Sequence, residues 1–428
     1  MRRVDLFSKH EPRGLKRLMK PQNPVYRGPA GAMSSALRSL LWARGLRDFG
    51  DGFVAVLLPV YLKALGFSPF EIGALAGAAL FGSSALTFAV GLLGVRCDHR
   101  RLLLWAAALM SATGVSLAIV SSYALLLVVA FAGTVNPSSA SASAFVPVEH
   151  AVLAREAEHR EPTKVFARYS LVGALGGAFG ALAAAIPDLM TRIGFSEIFG
   201  VKAMFVLYAM LGLAGCLLYG RIPRRPPQRK NDLAQALGPS RAIVYKLAAL
   251  FSLDSFAGGF VVQSLLALWL FEHFGLSLSA ASLFFFCCGV LSAFSYPIAA
   301  WLSRRFGLVN TMVFTHIPSS LCLILAAFAP SLFVALGLLL MRATFSQMDV
   351  PTRSSYVMAA VTEAERTAAA SFTTVPRGLA ASLSPALAGA LFSLSWQAFP
   401  LMICGVLKIV YDILLLKQFR GLKPPEER

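Results

Sequence analysis

Twelve long apolar stretches, nearly free of charged side chains, constrain the fold of this chain more than any other feature. Apolar residues make up 57% of the sequence, and the mean hydropathy is +0.67. A soluble domain cannot bury that much apolar surface, so lipid must form part of the solvent. Because backbone groups in hydrocarbon need internal hydrogen bonds, and the stretches lack strand alternation, we predict membrane-spanning helices of about 20 residues. The predicted spans are 37–62, 70–94, 102–120, 124–147, 166–187, 199–219, 244–271, 278–302, 309–328, 331–350, 370–394 and 398–417.

The two halves of the chain match each other at shifts between 204 and 209 residues. Ordered matches at a nearly constant shift indicate two copies of one six-helix unit, which can rock about a site between them. The matches pair Asp48 with Asp254, Gly52-Phe53-Val54 with Gly259-Phe260-Val261, Val146-Pro147 with Val350-Pro351, Gly91 with Ala300, and Arg168 with Arg377. The predicted segments are a basic tail at 1–36, a bundle at 37–220, a Pro-rich basic linker at 221–242, a second bundle at 243–417 and a tail at 418–428.

The net charge of +18 is distributed as in a membrane protein, so we do not predict nucleic-acid binding. Basic residues concentrate in the first tail, in the linker and in alternate loops, whereas the opposite loops hold only Lys63, Arg192 and Lys202. This asymmetry predicts that both termini lie in the cytoplasm. The first 30 residues contain no apolar run and are not predicted to be a cleaved signal. We expect a monomer in the inner (plasma) membrane.

The first predicted helix carries Arg44, Arg47, Asp48 and Asp51 within one arc of its surface. A charge at the centre of a membrane helix costs about 3 kcal/mol, so this stripe must face protein or water rather than lipid. One interpretation is two neutralising pairs, Arg44 with Asp48 and Arg47 with Asp51, each four residues apart. The other is a polar cavity wall in which Asp48 or Asp51 carries a proton.

The seventh and tenth helices carry further intramembrane charges. Asp254, the repeat-mate of Asp48, has no basic residue within one turn, so it is either protonated or matched from another helix. Gln263 follows on the same helix and is a cavity candidate. On the tenth helix, Arg342 either pairs with one of the aspartates of helices one and seven, binds an anionic substrate group, or forms a structural pair with Asp349. Ser346 lies between them as another cavity candidate.

The remaining candidates are weaker. Asn136 precedes Pro137 in the fourth helix, where the proline predicts a kink and the amide can meet freed backbone groups or a ligand. Arg168 and Arg377 are predicted to form gate pairs with Glu149 or Asp349. The other charged side chains are predicted to be structural: Lys408 with Asp412 as a self-neutralising pair, and His316 as a satisfied core residue.

The chain resembles the major facilitator superfamily, whose signature between helices two and three reads G-x-L-A-D-R-x-G-R-R. The first half has GLLGVRCDHRR at 91–101, and the second has AWLSRRFG at 300–307. The signature Asp is replaced by Val95 and Arg304, so the resemblance implies that the cytoplasmic latch of the family is absent or remade by Asp98. It also implies that helices one, four, seven and ten line the substrate cavity. The gate and motif candidates are Gly91, Arg96, Asp98, Arg168, Arg304, Arg305, Gly307, Asp349 and Arg377.

The resemblance implies a secondary transporter, an all-α membrane protein of twelve helices in two pseudo-symmetric six-helix bundles. We expect proton-coupled export of a small organic solute by alternating access. Uptake of an organic anion is the alternative, and a non-transporting membrane sensor or scaffold is an alternative of another class. No P-loop run, metal-ligand spacing or nucleophile constellation is present, so we predict neither a cofactor, a metal nor an enzyme.

Overall fold

The computed structural model describes residues 34–93, 97–138, 145–157, 162–224, 238, 240–362 and 365–419, and this part contains sixteen helices and no strand. Most of the predicted tails and linker lie outside the described residues, so their boundaries stay predictions. The helices are α1 (Ser35–Ala64), α2 (Pro69–Leu93), α3 (His99–Ile119), α4 (Tyr123–Ala132), α5 (Phe145–Ala157), α6 (Pro162–Ala183), α7 (Ile186–Arg192), α8 (Glu197–Gly220), α9 (Arg241–Gly259), α10 (Gln263–Phe274), α11 (Leu278–Phe306), α12 (Leu308–Ala327), α13 (Leu332–Ser346), α14 (Asp349–Ala359), α15 (Arg366–Ser393) and α16 (Phe399–Phe419).

The helices form twelve passes, as predicted, but four predicted spans are not continuous helices: the fifth contains a turn at 184–185 between α6 and α7, and three others are divided as well. The fourth is divided into α4 and α5, the seventh into α9 and α10, and the tenth into α13 and α14. Pro137 lacks the amide that would continue the fourth pass, and Pro351 in the first turn of α14 does the same after α13. The seventh pass breaks after Gly258 and Gly259, which have low helix propensity.

The two halves repeat the same helix neighbours, which confirms the duplicated six-helix unit. In the N-terminal half α1 packs on α6 and α8, and α3 packs on α8. In the C-terminal half α9 packs on α15 and α16, and α12 packs on α16 in the equivalent places. The halves meet along two further pairs, α2 with α15 and α6 with α11, and these two pairs exchange under the same repeat.

The seam between α2 and α15 is close because glycine lines it. A Cβ atom added at Gly73 would lie 2.3 Å from the carbonyl oxygen of Pro385, and one added at Gly77 would lie 2.7 Å from that of Ser382. No residue with a side chain fits at the first position without backbone movement. The two halves therefore approach at backbone distance along this seam.

Three polar side-chain contacts between the halves lie at one end of the bundle. We call the end at which α1 begins the near end, and the opposite end the far end. At the far end Lys63 Nζ lies 3.3 Å from Glu272 Oε1, and the backbone amide of Phe70 donates to Ser393 Oγ at 3.1 Å. The hydroxyl of Ser279 donates to the carboxylate of Asp188. These contacts join the halves at the far end of the molecule.

The surface of the bundle is apolar, as a lipid-facing surface must be. Trp105, Leu217 and Phe333 are 75%, 72% and 85% exposed. Among the described residues, eight helices are long and apolar enough to cross a membrane. The helix α1 is not one of them because it holds four charges between Arg44 and Asp51. Instead α1 is the central helix of its half, and its charged stripe is buried, which confirms that the stripe faces protein.

The end of the linker is fastened to the loop before α15 by one carboxylate. Glu365 accepts hydrogen bonds from the amide of Gly238 at 2.6 Å, from Ser240 Oγ at 2.6 Å and from Thr362 Oγ1 at 2.6 Å. The hydroxyls of Ser240 and Thr362 lower the pKa of Glu365 from its ordinary value of 4.5 to about 2. This carboxylate is therefore ionised throughout the physiological pH range.

Candidate functional site

The first of two buried charge clusters surrounds the middle of α1. The N-terminal cluster consists of Arg44, Arg47, Asp48, Asp51 and Glu149, each with at most 7% exposure. Arg44 Nη2 lies 2.8 Å from Asp48 Oδ2, so this predicted pair is confirmed. Arg47 Nε lies 3.4 Å from Asp48 Oδ1, whereas Arg47 and Asp51 form no ion pair. The second predicted pair is therefore wrong, because a carboxylate from another helix takes Arg47.

That carboxylate belongs to Glu149, which lies on α5 and has no exposed surface. Its Oε2 lies 2.9 Å from Arg47 Nη1 and accepts a 2.5 Å hydrogen bond from Tyr169 OH on α6. Its Oε1 accepts a 2.6 Å hydrogen bond from Tyr219 OH on α8. The guanidinium hydrogens of Arg47 are not aligned on the carboxylate, so this contact is an ion pair rather than a bidentate hydrogen bond. One side chain thus joins α1, α5, α6 and α8.

Asp51 differs from the other two carboxylates of the N-terminal cluster. Within the described residues, no cation lies within 4 Å of its carboxylate, and its Oδ1 accepts a 3.1 Å hydrogen bond from Tyr208 OH. The same hydroxyl lies 3.2 Å from Thr134 Oγ1 and 3.3 Å from the Thr134 carbonyl oxygen, where the fourth pass is broken. A buried carboxylate with a neutral donor alone is the position in this cluster best suited to hold a proton.

The second cluster surrounds Asp254 on α9, the repeat-mate of Asp48. Asp254 Oδ1 lies 2.7 Å from Lys408 Nζ on α16, and Oδ2 lies 3.0 Å from Arg353 Nη2 on α14. The sequence left two alternatives for Asp254, a protonated carboxyl group or a cation from another helix, and the structure shows cations from two other helices. Lys408 Nζ also lies 3.2 Å from His316 Nε2, and His316 Nδ1 lies 3.0 Å from both carboxylate oxygens of Asp412.

This arrangement corrects two pairings expected from helical spacing. Lys408 contacts Asp254 and His316 rather than Asp412, because its flexible side chain reaches across to the neighbouring helix. Asp349 begins α14 and forms its ion pair with Arg353, four residues later, rather than with Arg342. His316 is a buried and satisfied residue, as predicted, although its partners are charged.

The cavity candidates of the tenth pass lie on α13. Arg342 is half-buried and has no carboxylate within 4 Å among the described residues, so none of its predicted pairs forms. Ser346 is half-buried at the last residue of the helix. Which of them contacts a solute stays a prediction.

The polar candidates of the fourth and seventh passes meet where both passes are broken. Asn136 is buried, and its Oδ1 accepts from the amide of Ser138 at 3.1 Å and from its hydroxyl at 2.9 Å, which closes a turn. The carbonyl oxygen of Pro137 accepts a 3.1 Å hydrogen bond from the amide of Ser264. Gln263 lies beside it as the first residue of α10. The structure therefore joins the two breaks across the halves through the main chains of Pro137 and Ser264.

The signature residues lie at the near end. Gly91 lies in the last turn of α2, and Arg96 lies outside the described residues. Asp98 caps α3 by accepting from the amide of Arg100 at 3.1 Å and has no ion pair with a described residue, and its role in the latch stays a prediction. In the second half Gly307 joins α11 to α12 with φ 86°, a conformation that favours glycine. Arg304 donates to the carbonyl oxygen of Ala300, and Arg305 stacks on Trp301 and Phe306.

The carboxylates expected to pair with the gate arginines are held by other side chains. Arg377 Nε donates to Ser255 Oγ at 3.1 Å, and Asp349 is occupied by Arg353. Arg168 lies exposed on α6, while Glu149 is occupied by Arg47. Their role in gating stays a prediction.

Glu149 and Arg353 belong to the buried clusters, although both lie just outside the predicted spans 124–147 and 331–350. A usable signal was present, because the shift of 204 that aligns Val146-Pro147 with Val350-Pro351 also aligns Glu149 with Arg353. The two repeats thus place opposite charges at one position of their fourth pass. Among the described residues, no group of His, Cys, Asp and Glu side chains is arranged to hold a metal ion.

Comparisons with known proteins agree with this architecture. The chain is 24% identical over 425 residues to an uncharacterized membrane protein of Saccharomyces cerevisiae, covering 90% of this chain and 94% of that protein. A mutant of the nucleoside transporter NupG superimposes with a TM-score of 0.72 at 15% identity, covering 90% of this chain and 100% of the other. A bacterial homologue of the human lysosomal transporter Spinster, in an inward-facing conformation, gives 0.67 at 17% identity, covering 91% and 96%. The human organic anion transporter MFSD10 gives 0.64 at 15% identity, covering 89% and 99%.

The family model of the Major Facilitator Superfamily matches residues 40–254 and again 247–428, so it fits each repeat separately. The chain therefore belongs to the Major Facilitator Superfamily and is a multi-pass membrane transporter rather than an enzyme.

Proposed function

We propose that this protein is a proton-coupled secondary transporter of a small organic solute that works by alternating access. The proposal is supported by two repeated halves that meet along the helix pairs α2–α15 and α6–α11, which allows one half to rock against the other. The polar contacts at the far end would break, and contacts at the near end would form, when the site changes sides. No bound cofactor takes part in this proposal.

The observation that carries proton coupling is the composition of the N-terminal cluster. Two arginines stand against three carboxylates in a buried site, so full ionisation leaves one excess negative charge away from water. A single proton removes that excess. Asp48 has two arginines within 4 Å and Glu149 has one, which leaves Asp51 as the carboxylate that we propose carries the proton.

The surroundings of Asp51 link proton binding to movement. The charged groups facing it are Asp48, Arg44 and Arg47 on its own helix, and the hydroxyl of Tyr208 reaches it from α8. A proton on Asp51 weakens the charge-assisted hydrogen bond from Tyr208, which also contacts the broken fourth pass at Thr134. Proton binding therefore changes a contact between α1, the broken fourth pass and α8.

The other two proton candidates receive a different role. Asp254 holds Lys408 and Arg353, and Asp48 holds Arg44 and Arg47, so each carboxylate keeps two cations buried. A proton on either would remove the negative charge shared by two buried cations and leave Arg44 or Lys408 without a carboxylate partner, which is costly in a membrane interior. We propose that both aspartates organise their clusters and stay ionised.

Export of the solute in exchange for protons is the proposed direction, in accord with the family resemblance. The near end, where the basic segments lie, would face the cytoplasm, the membrane would be the inner (plasma) membrane, and the protein would act as a monomer. Uptake of an organic anion is a second candidate, favoured by Arg342 and Arg377, two half-buried arginines without a carboxylate within 4 Å among the described residues.

The test uses proteoliposomes loaded with a small-molecule extract, with and without an imposed pH gradient, and mass spectrometry of the released solutes. We expect the wild type to release particular solutes faster with the gradient and a protonophore to abolish the difference. Asp51→Asn should still exchange these solutes but lose the dependence on the gradient. The control Glu197→Gln, an exposed carboxylate in the first turn of α8, should behave as wild type.

Three outcomes decide between the alternatives. Full coupling in Asp51→Asn would refute the assignment of the proton. Solute release that never depends on pH would indicate a facilitator. No solute released by folded wild-type protein would favour a sensor or scaffold without transport.

A further inference from the structure

The interior of the C-terminal half has the opposite charge balance to the N-terminal cluster. Between the two ends of this half, where Glu272 and Glu365 lie, buried or half-buried cations outnumber the carboxylates by one when His316 is neutral. The cations are Arg342, Arg353, Arg377 and Lys408, and the carboxylates are Asp254, Asp349 and Asp412. The N-terminal cluster becomes neutral when it binds one proton, whereas this half becomes neutral when it binds one negative charge.

These three carboxylates are all engaged by other groups. Asp254 is shared by Lys408 and Arg353, and Asp349 is bound by Arg353. Asp412 lies 3.0 Å from the ring of His316. None of them remains for Arg342, and within the described residues no other carboxylate lies within 4 Å of that guanidinium. Arg377 at least donates to the hydroxyl of Ser255.

Arg342 points into the protein rather than into lipid. It lies on the same face of α13 as Ala335 and Leu339, both of which are buried. The helix α13 packs on α11 and α12, and the hydroxyl of Ser319 on α12 donates to the carbonyl oxygen of Arg342 at 3.4 Å, so both helices lie beside it. It is the eleventh residue of α13, about 15 Å along the helix from the far end, which places it at mid-depth.

A guanidinium in this position needs an anion. Arginine cannot lose its proton, and a charge at mid-membrane without a partner is disfavoured. The planar fork of arginine fits a carboxylate or a phosphate through two hydrogen bonds. We propose that Arg342 binds the anionic group, a carboxylate or a phosphate, of the transported solute, so that the C-terminal half selects an organic anion while the N-terminal half handles the proton. This inference rests on the proposed transport function and names its substrate class.

The experiment measures thermal stabilisation of the purified full-length protein by two fractions of a small-molecule extract. One fraction is retained on an anion-exchange resin, and the other is the flow-through. We expect the anionic fraction to raise the melting temperature of the wild type by at least about 2 °C, as ligand binding to the folded state does, and the flow-through to leave it unchanged. Treating the anionic fraction with phosphatase distinguishes the two sources, because it removes the effect of a phosphate but not that of a carboxylate.

Variants of Arg342 test whether the thermal stabilisation by the anionic fraction depends on its guanidinium group. Arg342→Gln should lose the stabilisation, Arg342→Lys should keep a weakened part, and the exposed control Arg38→Gln should keep all of it. Size-exclusion profiles show whether each variant is folded, and the lysine variant tests the proposal if the glutamine variant is not. Stabilisation that survives in folded Arg342→Gln, or a wild type that responds to neither fraction or equally to both, would overturn the proposal. If the proposal of an anionic substrate fails while pH-dependent release persists, proton-coupled transport stands without an anionic substrate.

Discussion

Replacing Glu149 by glutamine tests whether one carboxylate holds four helices together. The substitution keeps size and shape but removes the negative charge next to Arg47. It also places an amide group where Tyr169 and Tyr219 each donate a hydrogen bond to a carboxylate oxygen. Arg47 is then buried at 3% exposure with only Asp48 as a partner.

The expected loss of stability follows from these contacts. Removing one partner of a buried ion pair costs about 3–5 kcal/mol, because the other charge stays buried without compensation. For a body of 150–250 residues, each kcal/mol corresponds to about 2–4 °C, so the melting temperature should fall on the order of 10 °C. The control Glu197→Gln removes an exposed carboxylate at a helix start and should cost less than about 1 kcal/mol.

The assay is thermal unfolding of the purified protein in one detergent, monitored by tryptophan fluorescence. It compares the wild type, the single variants Arg47→Met and Glu149→Gln, and the double variant that carries both substitutions. The double variant should be more stable than the sum of the single effects predicts, by about 1–3 kcal/mol. If Glu149→Gln unfolds at the same temperature as Glu197→Gln, or if the two effects of the pair are simply additive, the reasoning is wrong.

Three further predictions concern other parts of the fold. The pKa of Glu365 is lowered from 4.5 to about 2, so its contribution to stability is fully present above pH 4.5 and is lost as the pH falls to about 2. As the pH falls through this range, limited proteolysis of the linker should increase in the wild type. Glu365→Gln should remove this pH dependence. Gly73→Ala should destabilise the protein by about 1–3 kcal/mol because the new methyl group meets the Pro385 carbonyl, whereas Gly337→Ala, with no atom within 4 Å of the added carbon, should be neutral or stabilising in the same unfolding assay. Gly307→Ala should cost about 1–3 kcal/mol in that assay, since its φ of 86° with ψ of 160° is a conformation adopted almost only by glycine.

The sequence predicted the fold well because its strongest signals are local. Long apolar runs predict helices, and the repeat predicts two equivalent halves. Both depend on residues that are near each other or in a fixed order along the chain. The breaks within three passes were harder to predict, because a proline such as Pro137 is compatible with either a kink or an interruption. The choice between them depends on partners such as Ser264, more than a hundred residues away.

The sites were predicted less completely than the fold. Helical spacing found the contact between Arg44 and Asp48, because both side chains lie on one helix. Spacing failed for Arg47 and for Lys408, whose long side chains bind carboxylates on other helices instead. Partners across helices cannot be found from the period of one helix. In this chain only the repeat itself, which aligns Glu149 with position 353, carried such information.

The hydrogen bond from the amide of Ser264 to the carbonyl oxygen of Pro137 has a consequence for evolution and engineering. Both atoms belong to the main chain, so exchanging either side chain leaves donor and acceptor in place, except for proline at position 264, which has no amide hydrogen. Substitutions near this contact can therefore change the surrounding side chains without removing the hydrogen bond between the two halves. The main-chain contact can thus persist in relatives whose side chains at this point differ in size and polarity.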